Sequence, residues 1–261
     1  MIRIAIHGAA GRMGKRLIAL AAVDTEFSLV AAVESPGHAQ LGEDAGTIAG
    51  IGPLGVPVTP ALDADAEVVI DFSLPEAAEK IIETCRQKKL PLVMATTGLD
   101  EQQRLQLHAA ADEIPLLWAP NMSLAVNLAM KLSEVAAAAL KDQDADVEIL
   151  ERHHRFKEDS PSGTALQFGR IIAQVMGQEQ HRHGRHGRPG PRPHDEIGYH
   201  AIRTGDNPGE HSVLFAMLGE MIEITVRATN RDCYASGALA AAKFLAGKPP
   251  GLYAISDVLQ L

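Results

Sequence analysis

Cysteine is scarce in this chain. Only Cys85 and Cys233 occur in 261 residues, far apart and outside any C-x-x-C spacing. That excludes a disulfide scaffold and a cysteine-based zinc site, and it suits a reducing compartment. Positive charge is also short. Lys and Arg number 24 against 33 Asp and Glu, a formal net charge of −9. Phosphate neutralisation needs clustered cations, so a general nucleic-acid or anionic-membrane binder is not expected. Long apolar runs are missing. A stretch such as Val135–Leu140 falls far short of the roughly 20 residues of a spanning helix. The N-terminal apolar stretch stops at His7-Gly8, too short for a signal-peptide core. The expectation is a cytoplasmic protein with no membrane or nucleic-acid partner.

What is present is ordinary globular material. The chain is 46% apolar and 22% charged, long enough to bury a full core and to form one or two domains. The first 120 residues alternate between two periods. Strands are predicted at Ile2–Ile6, Leu29–Val33, Val68–Phe72, Leu90–Met94 and Leu116–Trp118, and helices at Gly11–Ala22, Pro75–Lys88 and Asp100–Asp112. Alternating βα units imply a parallel sheet, and continuously apolar strands imply cover on both faces. Ser35–Pro60 carries six Gly and four Pro and is expected to be irregular.

After Pro120 the pattern changes. A helix is predicted at Ser123–Leu140, a half-solvated strand at Asp146–Glu151, and a helix at Pro161–Met176 capped by Ser160 or Ser162. Further strands are predicted at Ile197–Arg203, His211–Leu218 and Met221–Ala228, the last two joined by a Gly219-Glu220 turn, and a final helix at Ala235–Ala246. His181–Pro193 holds four Arg, three His and no acid. It reads as an anion or metal site, or as a solvated Gly/Pro loop, and the loop is the reading preferred.

Gly8-Ala9-Ala10-Gly11-Arg12-Met13-Gly14 follows the first strand and opens the first helix. Glycines there allow a tight turn and let a pyrophosphate reach backbone N–H groups at a helix N-terminus. Glu34, 20 residues past Gly14, falls at the end of the second strand, where a carboxylate accepts from ribose hydroxyls. A carboxylate repels a 2′-phosphate, and Ser35 follows it rather than an Arg. The expected cofactor is therefore NADH, with NADPH left open through Arg12, Lys15 or Arg16.

The densest polar cluster runs from Glu151 to Ala165, E-R-H-H-R-F-K-E-D-S-P-S-G-T-A. Ser162, Gly163 and Thr164 at a helix start suit a carboxylate. His153, His154 and Lys157 add cationic or proton-donating groups, a combination fitted to an anionic substrate that must be protonated. Adjacent His153 and His154 on extended chain point opposite ways, so no metal site is expected.

These motifs, with A-T-T-G at Ala95–Gly98, A-P-N-M-S at Ala119–Ser123 and I-G-Y-H-A-I-R-T-G-D-N-P-G-E-H before the last helices, together resemble the dihydrodipicolinate (4-hydroxy-tetrahydrodipicolinate) reductases. The resemblance implies a Rossmann domain over 1–122 and 234–261, and an α+β domain with a mixed sheet over 123–233 for substrate and oligomerisation. It implies that Gly8, Ala9, Ala10, Gly11, Arg12, Met13, Glu34, Phe72, Ala95, Thr96, Thr97, Ala119, Pro120, Asn121 and Met122 bind the dinucleotide. His153 and Lys157 would be the proton donors. His154, Ser162, Gly163, Thr164 and Thr97 would hold a dicarboxylate substrate. A homotetramer acting in diaminopimelate and lysine synthesis is implied. Two rivals stand beside this: another NAD(P)-dependent amino-acid or semialdehyde dehydrogenase, and a sensor of NADH without turnover.

Overall fold

Strand and helix alternate from the first residues onward. A computed structural model describes residues 1–261. In the first unit, Met1–Leu124 with Asp232–Leu261, the chain builds β1 (Ile2–His7), α1 (Arg12–Val23), β2 (Phe27–Val33), α2 (Ala45–Ile48), β3 (Val58–Thr59), β4 (Val68–Asp71), α3 (Pro75–Lys88), β5 (Leu92–Met94), α4 (Glu101–Ala111) and β6 (Pro115–Trp118). The second unit, Ala125–Arg231, takes all but the first residue of α5 (Leu124–Leu140), then β7 (Asp146–His153), α6 (Gly163–Met176), β8 (Gln180–His183), β9 (Glu196–Arg203), β10 (Glu210–Met217) and β11 (Glu220–Arg227). The chain then returns to the first unit through α7 (Asp232–Leu245), β12 (Gly251–Tyr253) and α8 (Ile255–Leu259).

The first unit is a parallel sheet of seven strands in the order β12-β6-β5-β4-β1-β2-β3. Its strands bury side chains on both faces. Ile4 and Ile6 pack with Leu17, Ala238 and Leu239 of α1 and α7. Ala5 and Val69 pack on the other side with Ile81, Ile82 and Leu107 of α3 and α4. Continuous apolar runs such as Val68–Ile70 thus have their cause in cover from both sides. Asp100 starts α4 with a reciprocal capping box to Gln103. The irregular segment after β2 contains more order than its glycines suggest. Asp44 accepts from the backbone N–H groups of Thr47, Leu54 and Gly55, and these bonds fold α2 and lead the chain into β3.

The second unit has a mixed sheet in the order β11-β10-β7-β9-β8, with α5 and α6 contributing to its core. β10 pairs antiparallel with β7 and β11, whereas β7, β9 and β8 run parallel. The hairpin turn is Leu218-Gly219 rather than Gly219-Glu220, because Met217 pairs with Glu220 and Gly219 takes the positive φ of 98°.

The His/Arg-rich segment opens on the exposed strand β8 and then runs as an exposed Gly/Pro loop, as expected, but two of its arginines are tied to the sheet. Arg185 pairs with Glu148 at 2.7 Å and with Glu196, and Arg192 pairs with Asp146 at 2.7 Å and Glu148 at 3.1 Å. His181 and His183 stack on Tyr199, with ring centroids 5.6 and 5.2 Å away. The arginines neutralise acids placed together by β7 and β9. Only tertiary structure brings those partners within reach, so the Gly/Pro composition announces the loop but not its anchors. No helix in the chain is long and apolar enough to cross a membrane.

Candidate active site

In the first unit every nucleotide-site residue inferred from sequence lies just past the carboxyl end of a strand or in the helical turn that follows β1. Gly8–Met13 follow β1, Glu34 follows β2, Phe72 follows β4, Ala95–Thr97 follow β5, and Ala119–Met122 follow β6. This is the edge at which parallel α/β sheets bind ligands. The glycines are demanded by space. A Cβ on Gly8, whose φ is 78°, would stand 2.5 Å from the Phe72 carbonyl oxygen, and one on Gly14 would stand 2.2 Å from the Gly8 carbonyl oxygen. Gly11 caps α1 without a side-chain partner, as an anion-binding helix start requires. Glu34 accepts from the N–H groups of Ala10 at 3.1 Å and Ser35 at 2.8 Å, which fixes its carboxylate beside the turn. A cradle that a Cβ would fill, an uncapped helix start and a fixed carboxylate fit a dinucleotide. Arg16 pairs with Asp232 at 2.7 and 2.8 Å on the surface. Thr97 and Pro120 are exposed, whereas the Thr96 side chain is buried and its hydroxyl donates to Asp71 at 2.5 Å.

In the second unit the chemistry sits at the end of β7. That strand buries alternate residues, and Val147 and Ile149 enter the core. The same period puts Glu151 and His153 on the same face. There the Glu151 carboxylate accepts from His153 Nδ1 at 2.5 Å, Ser162 N at 3.0 Å and both Arg203 Nη atoms at 2.7 and 2.8 Å. A carboxylate only accepts, so His153 carries its proton on Nδ1 toward Glu151 and turns Nε2 toward Gly209. A Cβ on Gly209, whose φ is 149°, would approach that Nε2 to 3.0 Å. Burial opposes ionisation of Glu151, but the hydrogen bonds from His153 and Arg203 outweigh it and hold the carboxyl down at about 2. Lys157 donates to Asp159 at 2.6 Å, and the loop carrying it is pinned by His154 N to Asn207 O at 2.8 Å.

Ser162 is fully engaged within the unit. Its N–H serves Glu151, and its hydroxyl accepts from Ala165 N at 3.2 Å, capping α6. The same hydroxyl is hydrogen-bonded to His211 Nε2, 3.1 Å away. Ser162 therefore shapes the helix start, and Gly163 and Thr164 follow it in the first turn of α6.

His211 is held neutral. Burial first, and the neighbouring His153 second, push its pKa down from 6.5 to about 4. On acidification the unfolded chain takes up this proton first, so the contribution to stability is complete above pH 6.5 and is lost as pH falls through 4. At ~1.4 kcal/mol per pKa unit the loss is on the order of 3 kcal/mol. Denaturant titrations of the full chain across this range should show that slope, and His211→Gln should flatten it. Equal slopes in both proteins would refute the assignment.

The thiols do not suit a thioester mechanism. Burial, aided by the Asp71 charge, pushes the Cys85 thiol up, and burial also raises that of Cys233. Glu151 stood in the sequence cluster without a role, although its i, i+2 relation to His153 on a strand was a usable signal. Arg203 and His211 lay inside the I-G-Y-H-A-I-R-T-G-D-N-P-G-E-H segment but were given no role there, because β9 and β10 join the site only through sheet pairing.

A glycine turn at the edge of a parallel sheet, with a buried Glu151–His153 pair at a strand end in a second unit, fits a two-unit α/β oxidoreductase that uses a nicotinamide dinucleotide. The comparisons with known proteins narrow this. Residues 2–122 match the family described as "Dihydrodipicolinate reductase, N-terminus" and 125–259 the one described as "Dihydrodipicolinate reductase, C-terminus". The chain is 56% identical to the 4-hydroxy-tetrahydrodipicolinate reductase of Rhodopirellula baltica, over 99% of this chain and 96% of that one. It is 51% identical to the enzyme of the same name from Alkalilimnicola ehrlichii, over 99% of each. The dipicolinate-bound dihydrodipicolinate reductase from Paenisporosarcina sp. TG-14 has a similar structure, with a TM-score of 0.79, 26% identity and 97% of each chain covered. The chain belongs to the dihydrodipicolinate reductase family.

Proposed function

We propose that this protein reduces 4-hydroxy-tetrahydrodipicolinate to tetrahydrodipicolinate with NAD(P)H, in the synthesis of diaminopimelate and lysine. One observation carries the reading: the Glu151 carboxylate holds both the proton-bearing His153 and Ser162, the N-cap of α6, at 2.5 and 3.0 Å. A proton donor and an anion-binding helix start are thereby held by one group.

When bound, the dihydronicotinamide supplies a hydride to the electron-poor carbon of the conjugated imine left after loss of water. His153 and Lys157 supply the proton and the positive field that the developing anion needs. Glu151 keeps His153 in one tautomer and compensates its charge. Gly163 and Thr164, with His154 and Thr97, hold the substrate carboxylates, and the start set by Ser162 aims the α6 N-terminus.

The test follows nicotinamide absorbance while the substrate is made in situ from aspartate semialdehyde and pyruvate by an unrelated synthase. Oxidation that depends on the synthase supports the assignment. NADH binding without oxidation would move it to another dehydrogenase or to a sensor.

NADH is the preferred cofactor in this reading, because Glu34 is fixed at the ribose end and Ser35 offers no cation. Glu34→Gln should weaken NADH binding several-fold and NADPH binding less, as the repulsion of a 2′-phosphate is removed. Equal losses in fluorescence titrations would overturn the preference. The protein works as a homotetramer in the cytoplasm. Exposed Ile202, Met221 and Ile222 on the second sheet support self-association, and the free thiols Cys85 and Cys233 suit a reducing compartment. Light scattering of the full chain tests the tetramer.

A further inference from the structure

Asp71 is fully buried at the carboxyl end of β4, yet the mechanism above does not use it. Its strand pairs with β1, His7 lying opposite Asp71, at the point where the sheet order reverses direction. Ligands of such sheets bind just outside this point. Asp71 Oδ1 accepts from His7 Nδ1 at 2.5 Å, and Oδ2 accepts from the Thr96 hydroxyl at 2.5 Å. Thr96 Oγ1 in turn accepts from Ser73 N at 3.1 Å. One carboxylate thus ties together the segments that follow β1, β4 and β5. Backbone bonds run the same way, from Phe72 N to His7 O at 3.1 Å and from Ala95 N to Asp71 O at 2.9 Å. The Thr96 hydroxyl has both its donor and an acceptor site engaged, so its service to a ligand is indirect.

We propose that Asp71, acting through Thr96 and His7, is the positioning residue of the nucleotide site: it locks the three loops that bind the nicotinamide dinucleotide into one preorganised rim. This rests on the nucleotide-binding reading above. A loop held in its binding conformation loses little entropy when ligand arrives, whereas a loosened one must be ordered at the expense of affinity. Asp71 suits the task because a carboxylate accepts at both oxygens. An amide keeps both contacts only if its NH2 meets His7 and the ring moves its proton to Nε2 so that Nδ1 accepts, and it gives up the extra strength that the charged acceptor lends both bonds.

The experiment is a fluorescence titration of the full chain with NADH, which needs no substrate and no turnover. Thr96→Val keeps the shape and removes the hydroxyl, and its Kd should rise about tenfold or more, the scale set by one unpaired buried donor. Asp71→Asn should follow it, and Thr96→Ser should restore a Kd within about threefold of the parent protein. Thermal melting is recorded on each variant. A Thr96→Val protein that melts lower but binds NADH as the parent does would overturn the proposal and leave a purely structural role. A Thr96→Ser loss as large as that of Thr96→Val would overturn it as well. If the parent protein binds neither NADH nor NADPH, the nucleotide reading fails and the proposal falls with it.

Discussion

Lys157→Ala is expected to lower kcat by about a hundred- to ten-thousandfold, the span of a lost proton donor or its field. NADH affinity should stay unchanged, because Lys157 is not among the residues proposed to hold the nucleotide. The ammonium is partly buried, 21% exposed, and is held by Asp159 at 2.6 Å. That partner is itself more than half exposed, so the pair adds little to stability. Its value is in placing one cation beside the start of α6. Lys157→Arg separates charge from proton donation. A guanidinium still attracts a carboxylate but does not release its proton. The Arg protein should therefore recover much of the KM and little of kcat. Near-normal turnover in Lys157→Ala, measured with substrate made in situ, would remove Lys157 from the mechanism.

Gly14→Ala should cost the protein its nucleotide binding. The new Cβ would lie 2.2 Å from Gly8 O, 2.6 Å from Ala9 O and 2.7 Å from Ala9 C. All three are backbone atoms of the phosphate turn, so no side chain can swing away. Either α1 shifts or the turn opens, and opening it breaks the bond from Ala10 N to Glu34. Overpacking of this kind costs roughly 1–3 kcal/mol, which as a loss of binding is about five- to more than a hundredfold. Gly37→Ala is the control, since nothing lies within 4 Å of its Cβ position. If Gly14→Ala binds NADH as tightly as Gly37→Ala does, the turn is not the phosphate site.

Much of this protein is determined within short stretches of chain. Pro75–Lys88 has the same bounds in sequence and structure, because Pro at the first helical position and an amphipathic period act locally. Continuous apolar strands announce a sheet covered on both faces. The glycine turn and the Glu34 carboxylate are legible for the same reason, since their spacing along the chain already contains their geometry. Five short elements were not legible: α2, β3, β8, β12 and α8. Each has five residues or fewer, too few for a clear period. The His/Arg segment shows a further limit, its arginines finding acids 37 to 46 residues away.

The sites divide along the same line. Sequence by itself singled out the candidate residues for the chemistry: the histidine pair, the lysine, the helix start and the glycines. Tertiary structure alone decided how they are held. Arg203 reaches Glu151 across β7 and β9, 52 residues away in sequence. His211 arrives antiparallel on β10, and Asp71 meets His7 across 64 residues. A hydrogen bond depends on distance in space, and only sheet pairing converts those separations into contact.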